Sequence, residues 1–349
     1  MKSQAIVAPG EPLQEIESPT PEPQGSEVLV KVTACGVCHS DVHIHDGYFD
    51  LGGGNKLPLS AKESLPHTMG HEIAGEVVAL GPDAKGVSVG DRRVVYPWIG
   101  CGKCPTCEKG DEHYCRAPAN LGVTRPGGYS DYVLVPDAKY LLDYGSMSEP
   151  LAATYMCSGL TAFGALKKLG DVGPQDKVLV VGAGGVGMMG VQFAKALFPS
   201  APMVADIDES KLAAAKEAGA SHTYNSKDPD AVKQVLEDSD GGVIGAIDFV
   251  GSEASLNFAS ACVRKGGKVV IVGLFGGGFS MPIPMFPLRV ISIGGSYVGS
   301  LPETKEMMEL VKAGKIDPIP VETRPLSDAT KTLDDLRTGS IVGRVVLQP

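Results

Sequence analysis

Up to residue 150 the apolar positions come in short alternating groups, at 27–32, 73–80 and 92–96, separated by Gly, Pro and Asp turns. Alternation of period two over so few residues predicts half-buried strands, and therefore a mostly β region. Near residue 176 the pattern changes. Residues 177–181 are an unbroken apolar run, a glycine turn follows, and 186–197 is patterned as a helix. Further apolar runs at 203–207, 222–224, 246–250, 268–272 and 290–293 alternate with helix-like stretches at 211–218, 231–237 and 253–263. Strand and helix in alternation predict an α/β fold, a doubly wound parallel sheet with right-handed crossovers, and six such strands match a dinucleotide-binding unit. Residues 302–313 then read as a helix and 341–347 as a last strand. Because the nucleotide fold is already complete, this tail is assigned to the first domain, giving 1–152 with 296–349 as one domain and 153–295 as the other. Two glycine runs, 52–54 and 276–278, are expected as surface loops.

A chain of 349 residues is long enough for two domains, each with its own core. A hydrophobic fraction of 43% and a charged fraction of 21% are those of an ordinary globular protein. The net charge of −10 and pI near 5.2 work against nucleic acid as a partner, since phosphate-backbone binding rests on clustered Lys and Arg. The N-terminal apolar stretch is too short for a signal peptide, and no run approaches the roughly 18 apolar residues that cross a membrane. A cytoplasmic location is expected. The eight cysteines then become informative, because four of them lie between residues 101 and 115. In a cytosolic chain such a cluster reads as metal binding before disulfide.

The turn Gly182-Ala183-Gly184-Gly185-Val186-Gly187 follows a predicted strand and opens a predicted helix, the context in which G-x-G-x-x-G carries meaning. Its glycines permit the tight turn, the approach of a pyrophosphate and close helix–strand packing, while the helix N-terminus offers free N–H groups. Asp206 ends the second strand, 19 residues beyond Gly187. A carboxylate there accepts from both ribose hydroxyls and repels a 2′-phosphate, which favours NAD over NADP. The alternative is a turn chosen for packing, with Asp206 as a helix cap. Lys211, one turn into the next helix, is either a ribose contact or a solvated lysine.

Cys101, Cys104, Cys107 and Cys115 supply four thiolates within 15 residues, enough for a closed tetrahedral shell in which a zinc would staple a loop and take no part in chemistry. The rival is an iron–sulfur cluster, but the Cys-Pro that follows the last ligand of ferredoxin-type runs is missing. A second site must draw on distant segments. Cys38, His71 and Cys157 are the candidates for a Cys₂His shell with an open fourth position, the arrangement catalysis requires. Each alone reads as a buried cysteine or satisfied histidine, and Cys35 and Cys262 are left as packing residues.

With Gly36-Val37-Cys38-His39-Ser40-Asp41, Gly70-His71-Glu72-Ile73-Ala74-Gly75, the four-cysteine loop, Gly182–Gly187 and Gly343-Arg344-Val345-Val346-Leu347 in this order, the chain resembles the zinc-dependent medium-chain alcohol dehydrogenases over essentially its whole length. The resemblance implies a mostly β GroES-like catalytic domain, a Rossmann domain, and a catalytic zinc on Cys38, His71 and Cys157 in the cleft between them. It implies Glu72 as an outer or alternative ligand and Asp41 as the carboxylate orienting His71, in keeping with the usual second hydrogen bond of a ligating imidazole. It also implies His39 and Arg344 at the cofactor pyrophosphate, and Ser40 with His43 as a proton relay. Read without the family, His43 is a solvent-facing histidine. Similar enzymes place a pocket wall where Trp98, the one tryptophan, stands; the bland reading is a core aromatic. Residues 48–64 depart from the family as a long loop.

The expected function is oxidation of primary or secondary alcohols to aldehydes or ketones with NAD, reversibly, in a chain carrying two zinc ions. The absence of a long insertion in the catalytic domain resembles the bacterial and archaeal homotetrameric members. A polyol or sugar dehydrogenase, a zinc-free quinone reductase relative and a non-catalytic NAD-binding protein are the other readings, and retention of every ligand and relay residue weighs against the last two.

Overall fold

The computed structural model describes residues 1–59 and 65–349. Six parallel strands make one sheet, in the order Thr223–Asn225, Met203–Asp206, Val178–Val181, Val243–Asp248, Val263–Ile271, Ser292–Gly295. This is the 3-2-1-4-5-6 order of the dinucleotide-binding fold, with the glycine turn on the central first strand where the order reverses. Val178–Val181 and Met203–Asp206 are buried at every position, as strands covered on both faces by helices must be.

Three expected boundaries move. The strand expected at 246–250 begins at Val243, and the one expected at 268–272 begins at Val263, where the preceding helix has already ended at Cys262. The polar, glycine-bearing run Arg264–Gly267 hides this extension, which passes through a register irregularity between Val243 and Gly245. The strand expected at 290–293 starts at Ser292, because Val290 has a left-handed backbone (φ 49°) that closes the short helix Met285–Arg289.

The β region forms a second, seven-stranded sheet. Its path runs Leu141–Leu142, Arg92–Val95, Glu72–Leu80, Val28–Gly36, Arg344–Gln348, Val321–Pro325, with Tyr132–Val135 also paired to Val28–Gly36. The final strand thus lies beside the first long one, with Leu347 opposite Cys35 and Val346 opposite Gly36. Alternate residues Val28, Val30, Val32 and Ala34 face the core with Ile73 and Val77. Register in this pair decides the rest: Val28 opposes Leu80 and Gly36 opposes Glu72, so Cys38 and His71 leave the sheet side by side.

Residues 149–167 are one helical stretch interrupted by a π turn at Tyr155–Gly159. Cys157 sits in that turn, where a widened backbone ring re-aims side chains.

The expected loop at 48–64 is, over its first part, a hairpin: Tyr48–Gly52 pairs with Asn55–Pro58 through Gly53 and Gly54, both at positive φ. Residues 60–64 of that expectation lie outside the described residues. The two glycine runs are not free surface loops but touch one another. A Cβ on Gly52 would lie 2.6 Å from Gly277 Cα, and one on Gly276 would lie 2.4 Å from the Asp50 carbonyl oxygen. Among the described residues, no helix is long and apolar enough to cross a membrane.

Candidate metal and cofactor site

Cys38 occupies the N-cap of the helix His39–Asp46, with extended backbone, and its N–H donates to Asp41 Oδ2 at 2.9 Å. Cys157 comes to it from the π turn, the two sulfurs lying 3.7 Å apart. Together with His71 they form a fully buried triad whose ligand atoms all lie within 4.8 Å of one another. A tetrahedral zinc with Zn–S bonds of about 2.3 Å places its sulfurs about 3.8 Å apart, so the observed spacing fits a metal. The imidazole supports the same fit. His71 Nε2 is buried without a hydrogen-bond partner, a costly state unless something else takes its lone pair. Its Nδ1 stands 3.2 Å from Asp41 Oδ1, close but out of line for a full hydrogen bond.

Electrostatics follow the geometry. Cys157 beside it holds the Cys38 thiol well below its ordinary value, against the opposing effect of burial, while Cys38 and burial push the Cys157 thiol up. One sulfur carries charge at the other's expense, as two thiolates do until a cation neutralises both. Burial would lower the His71 imidazolium, but Asp41 and then Cys38 outweigh it and hold it well above the ordinary range.

Glu72, expected as an outer or alternative ligand, is not part of the triad. Its Oε2 takes Arg344 Nη2 at 2.5 Å and its Oε1 accepts the Ser158 N–H at 3.1 Å, so both oxygens are turned to other partners. Ser158 Oγ meanwhile donates to the Thr154 carbonyl at 2.8 Å, supporting the π turn. Burial pushes the Glu72 carboxyl up to about 7 despite the guanidinium. Gly36 is a glycine for this reason: a Cβ there would come within 2.0 Å of Glu72 Oε2.

Arg344 also donates to the Val37 carbonyl at 2.8 Å, and its Cδ lies 2.5 Å from where a Cβ on Gly185 would stand. It therefore joins the triad's surroundings to the glycine turn. In that turn Gly182 has φ 90°, and a Cβ on Gly187 would lie 1.8 Å from the Gly182 carbonyl oxygen, the tight helix–strand packing the motif predicts. Gly184, by contrast, would meet nothing, which leaves its N-cap position before Gly185 and Val186 open to an anion. Asp206 Oδ2 accepts the Ala183 N–H at 2.6 Å while Oδ1 accepts from Ile207 and Asp208. It ties the second strand to the glycine turn and caps no helix; Asp208 caps the next one through Ser210. Lys211 lies in the first turn of that helix.

His39 stacks on Phe275 at 5.2 Å and meets His43 edge-on at 5.6 Å, and His43 in turn lies 5.0 Å from Phe49 of the hairpin. Burial lowers both imidazoles, so each is neutral at pH 7. Ser40 and His43 are three residues apart, on one side of the same helix. Trp98 is 3% exposed, its indole N–H donating to the Met156 carbonyl, and its ring packs 5.4 Å from His71 and 5.7 Å from Tyr297. It is thus buried and still adjoins the triad. Tyr297, 46% exposed beyond the last strand of the parallel sheet, carries no pattern that sequence reasoning could have singled out, and neither does Phe275.

The four-cysteine loop closes on itself: Cys104 lies 3.5 Å from Cys107 and 3.9 Å from Cys115, Cys101 lies 4.0 Å from Cys107, and all four sulfurs are within 4.8 Å of one another. Backbone N–H groups of Cys101 and Ala117 point at the Cys115 sulfur, the usual support of a thiolate. Glu112, inside the loop, accepts from Tyr140, Lys139 and the Gly100 N–H and so anchors both ends.

Comparison with known proteins agrees with this architecture. Residues 24–144 match the alcohol dehydrogenase GroES-like domain and residues 185–313 the zinc-binding dehydrogenase domain. Over 100% of both chains, the protein is 38% identical to the NAD-dependent alcohol dehydrogenases of Sulfurisphaera tokodaii and of Saccharolobus solfataricus. The crystal structure of the alcohol dehydrogenase from Aeropyrum pernix superposes with a TM-score of 0.89 at 29% identity, again over 100% of each chain. A GroES-like domain and a Rossmann domain carrying a buried Cys₂His triad and a four-cysteine loop define a zinc-dependent dehydrogenase. The chain belongs to the zinc-dependent medium-chain alcohol dehydrogenase family.

The Glu72–Arg344 pair yields a direct expectation. Arg344→Ala leaves a buried carboxylate without its cation and should cost about 3–5 kcal/mol of stability, measured by chemical denaturation. A loss below about 1 kcal/mol would mean that Glu72 simply takes up a proton instead.

Proposed function

We propose that the protein is an NAD-dependent alcohol dehydrogenase that oxidises primary or secondary alcohols to aldehydes or ketones, reversibly, with two zinc ions per chain. The observation that carries this reading is the convergence of Cys38, His71 and Cys157, with the orphaned His71 nitrogen, on a point that Arg344 links to the glycine turn. Cys38, His71 and Cys157 would hold the catalytic zinc, with Glu72 as their outer neighbour, and Cys101, Cys104, Cys107 and Cys115 the structural one. Gly182, Gly184, Gly185, Val186 and Gly187 would cradle the NAD pyrophosphate with His39 and Arg344, while Asp206 and Lys211 would take the adenosine ribose. When bound, the metal supplies a Lewis acid with one open position and NAD a hydride acceptor.

The chain's own residues do the rest. Asp41 orients His71 from behind. Ser40 takes the substrate hydroxyl proton and passes it toward His43, whose neutral imidazole receives it. Trp98 and Tyr297 form an aromatic wall beside the triad that favours apolar alcohols over polyols, which would need polar partners for each hydroxyl.

The proposed domain division is 1–152 with 296–349 and 153–295, the tail strands 321–325 and 344–348 being paired into the catalytic sheet. A cytoplasmic homotetramer is the assembly we favour. Ser292–Gly295 is an end strand of the parallel sheet, and Ile283, Leu288 and Val290, which precede it in the chain, are 82%, 67% and 57% exposed; an end strand and exposed apolar residues suit a second copy of the chain.

Three measurements test these readings. The wild-type chain should carry two zincs, with Cys157→Ala holding one and producing no NADH from a panel of primary, secondary, cyclic and sugar alcohols. Turnover best on polyols would move the substrate class to sugars, whereas intact zinc and activity in Cys157→Ala would refute the site. His43→Gln should slow alcohol oxidation at pH 7 roughly tenfold to a hundredfold, at or below the lower edge of what a positioned base contributes. Because the burial-lowered His43 is neutral at neutral pH and hydroxide replaces it at high pH, the deficit should shrink by pH 9. Light scattering should return the mass of four chains; a monomer would remove the assembly proposal.

A further inference from the structure

Behind the triad lies a fully buried group that the proposed chemistry does not use. Tyr129 is 0% exposed, and its hydroxyl donates to Asp41 Oδ2 at 3.1 Å. The same oxygen accepts the Cys38 N–H at 2.9 Å, while Oδ1 faces His71 Nδ1 at 3.2 Å. Two donors on one oxygen fix the carboxyl plane and reserve the other oxygen for the imidazole. Burial and the Asp41 charge hold the phenol well above its ordinary range, so it remains a donor throughout the working pH range.

Tyr129 also grips the chain that carries His71. Its N–H donates to the Met69 carbonyl at 3.0 Å, and the neighbouring Gly128 N–H donates to the Gly70 carbonyl at 2.8 Å. The ring lies against Gly70 itself: a Cβ there would come within 2.5 and 2.9 Å of ring carbons Cδ1 and Cε1, and Gly70 has φ 93°. One side chain thus touches the backbone just before the histidine and the carboxyl just behind it.

We propose that Tyr129 is a positioning residue for the metal site, holding the His71 imidazole in its ligating orientation through Asp41 and so setting how tightly the catalytic zinc is kept. This rests on the reading of Cys38, His71 and Cys157 as zinc ligands. A group one step behind a ligand typically changes metal affinity by about 10–100-fold when removed. Tyr129 stands one step further out, so about tenfold is expected.

The test is zinc release from the holoenzyme to a chromogenic chelator, with the four-cysteine zinc as internal reference. Tyr129→Phe removes only the hydroxyl and keeps the ring on Gly70. It should release one zinc about tenfold faster and leave the other at its wild-type rate. In an Asp41→Asn background, where the acceptor charge is gone, adding Tyr129→Phe should change the release rate no further; a purely structural role for the tyrosine would add to it. Unchanged release in Tyr129→Phe, equal acceleration of both zincs, or full additivity with Asp41→Asn each overturns the proposal while the zinc site stands. A wild-type chain holding only the four-cysteine zinc overturns the site reading and this proposal with it.

Discussion

A carboxylate and a guanidinium with almost no access to water hold the centre of this molecule together. Glu72 stands at the first position of one catalytic strand and Arg344 at the first of another, and their contact bridges the two strands that flank Val28–Gly36. Desolvating two charges is expensive, and the pair is tolerated because each partner also makes a further hydrogen bond to the backbone. Glu72 also receives the Ser158 N–H from the π turn that presents Cys157, and Arg344 reaches the Val37 carbonyl one residue before Cys38. The same guanidinium arm lies on Gly185 of the glycine turn. The Cys38–His71–Cys157 triad, the π turn and the glycine turn are therefore mechanically one object, and two of its glycines, Gly36 and Gly185, are small because the pair leaves them no room.

The parallel sheet was legible because its strands are buried on both faces. Val178–Val181 is wholly apolar and Met203–Asp206 has its one polar residue, Asp206, at the last position, and the helices between them supply the alternation. Errors fall where tertiary contacts override the local pattern. Val263–Ile271 runs on either side of an unpaired stretch at Arg264–Gly267, because its neighbour pairs with Val263 before it and Lys268 after it, a bulge that propensity does not signal. The hairpin at 48–58 looked like a loop because three glycines and an Asn-Lys pair conceal its alternation, and its partner surface lies more than 200 residues away.

The site was legible in proportion to how local it is. Four cysteines in 15 residues announce themselves by spacing, as does the glycine turn. Cys38, His71 and Cys157 come together only through strand register and a π turn, neither of which spacing encodes, so donor type offered them only as candidates and the family resemblance assigned them to one catalytic zinc. Glu72 stands beside the triad with its oxygens on Arg344 and the Ser158 N–H, partners that no sequence pattern names, because nothing in a sequence says which way a carboxylate turns. Tyr129 and Tyr297 left no trace at all, being ordinary aromatics until the fold sets them beside Asp41 and Trp98.

The contact between the two glycine runs divides the cover of the cleft into parts that can and cannot vary. At Gly52, Gly276 and Gly277 main chain rests on main chain, so no side chain exists there to be enlarged, shortened or recharged by small steps. A Cβ at Gly52 or Gly276 would strike main chain across this seam, so a side chain at either position forces the two segments apart. Tuning of what the enzyme admits is thereby displaced onto the hairpin's flanks, where Phe49 faces His43 and where Leu51 and Leu57 stand half in solvent. The seam is fixed by main chain, and variation is left to the side chains that surround it.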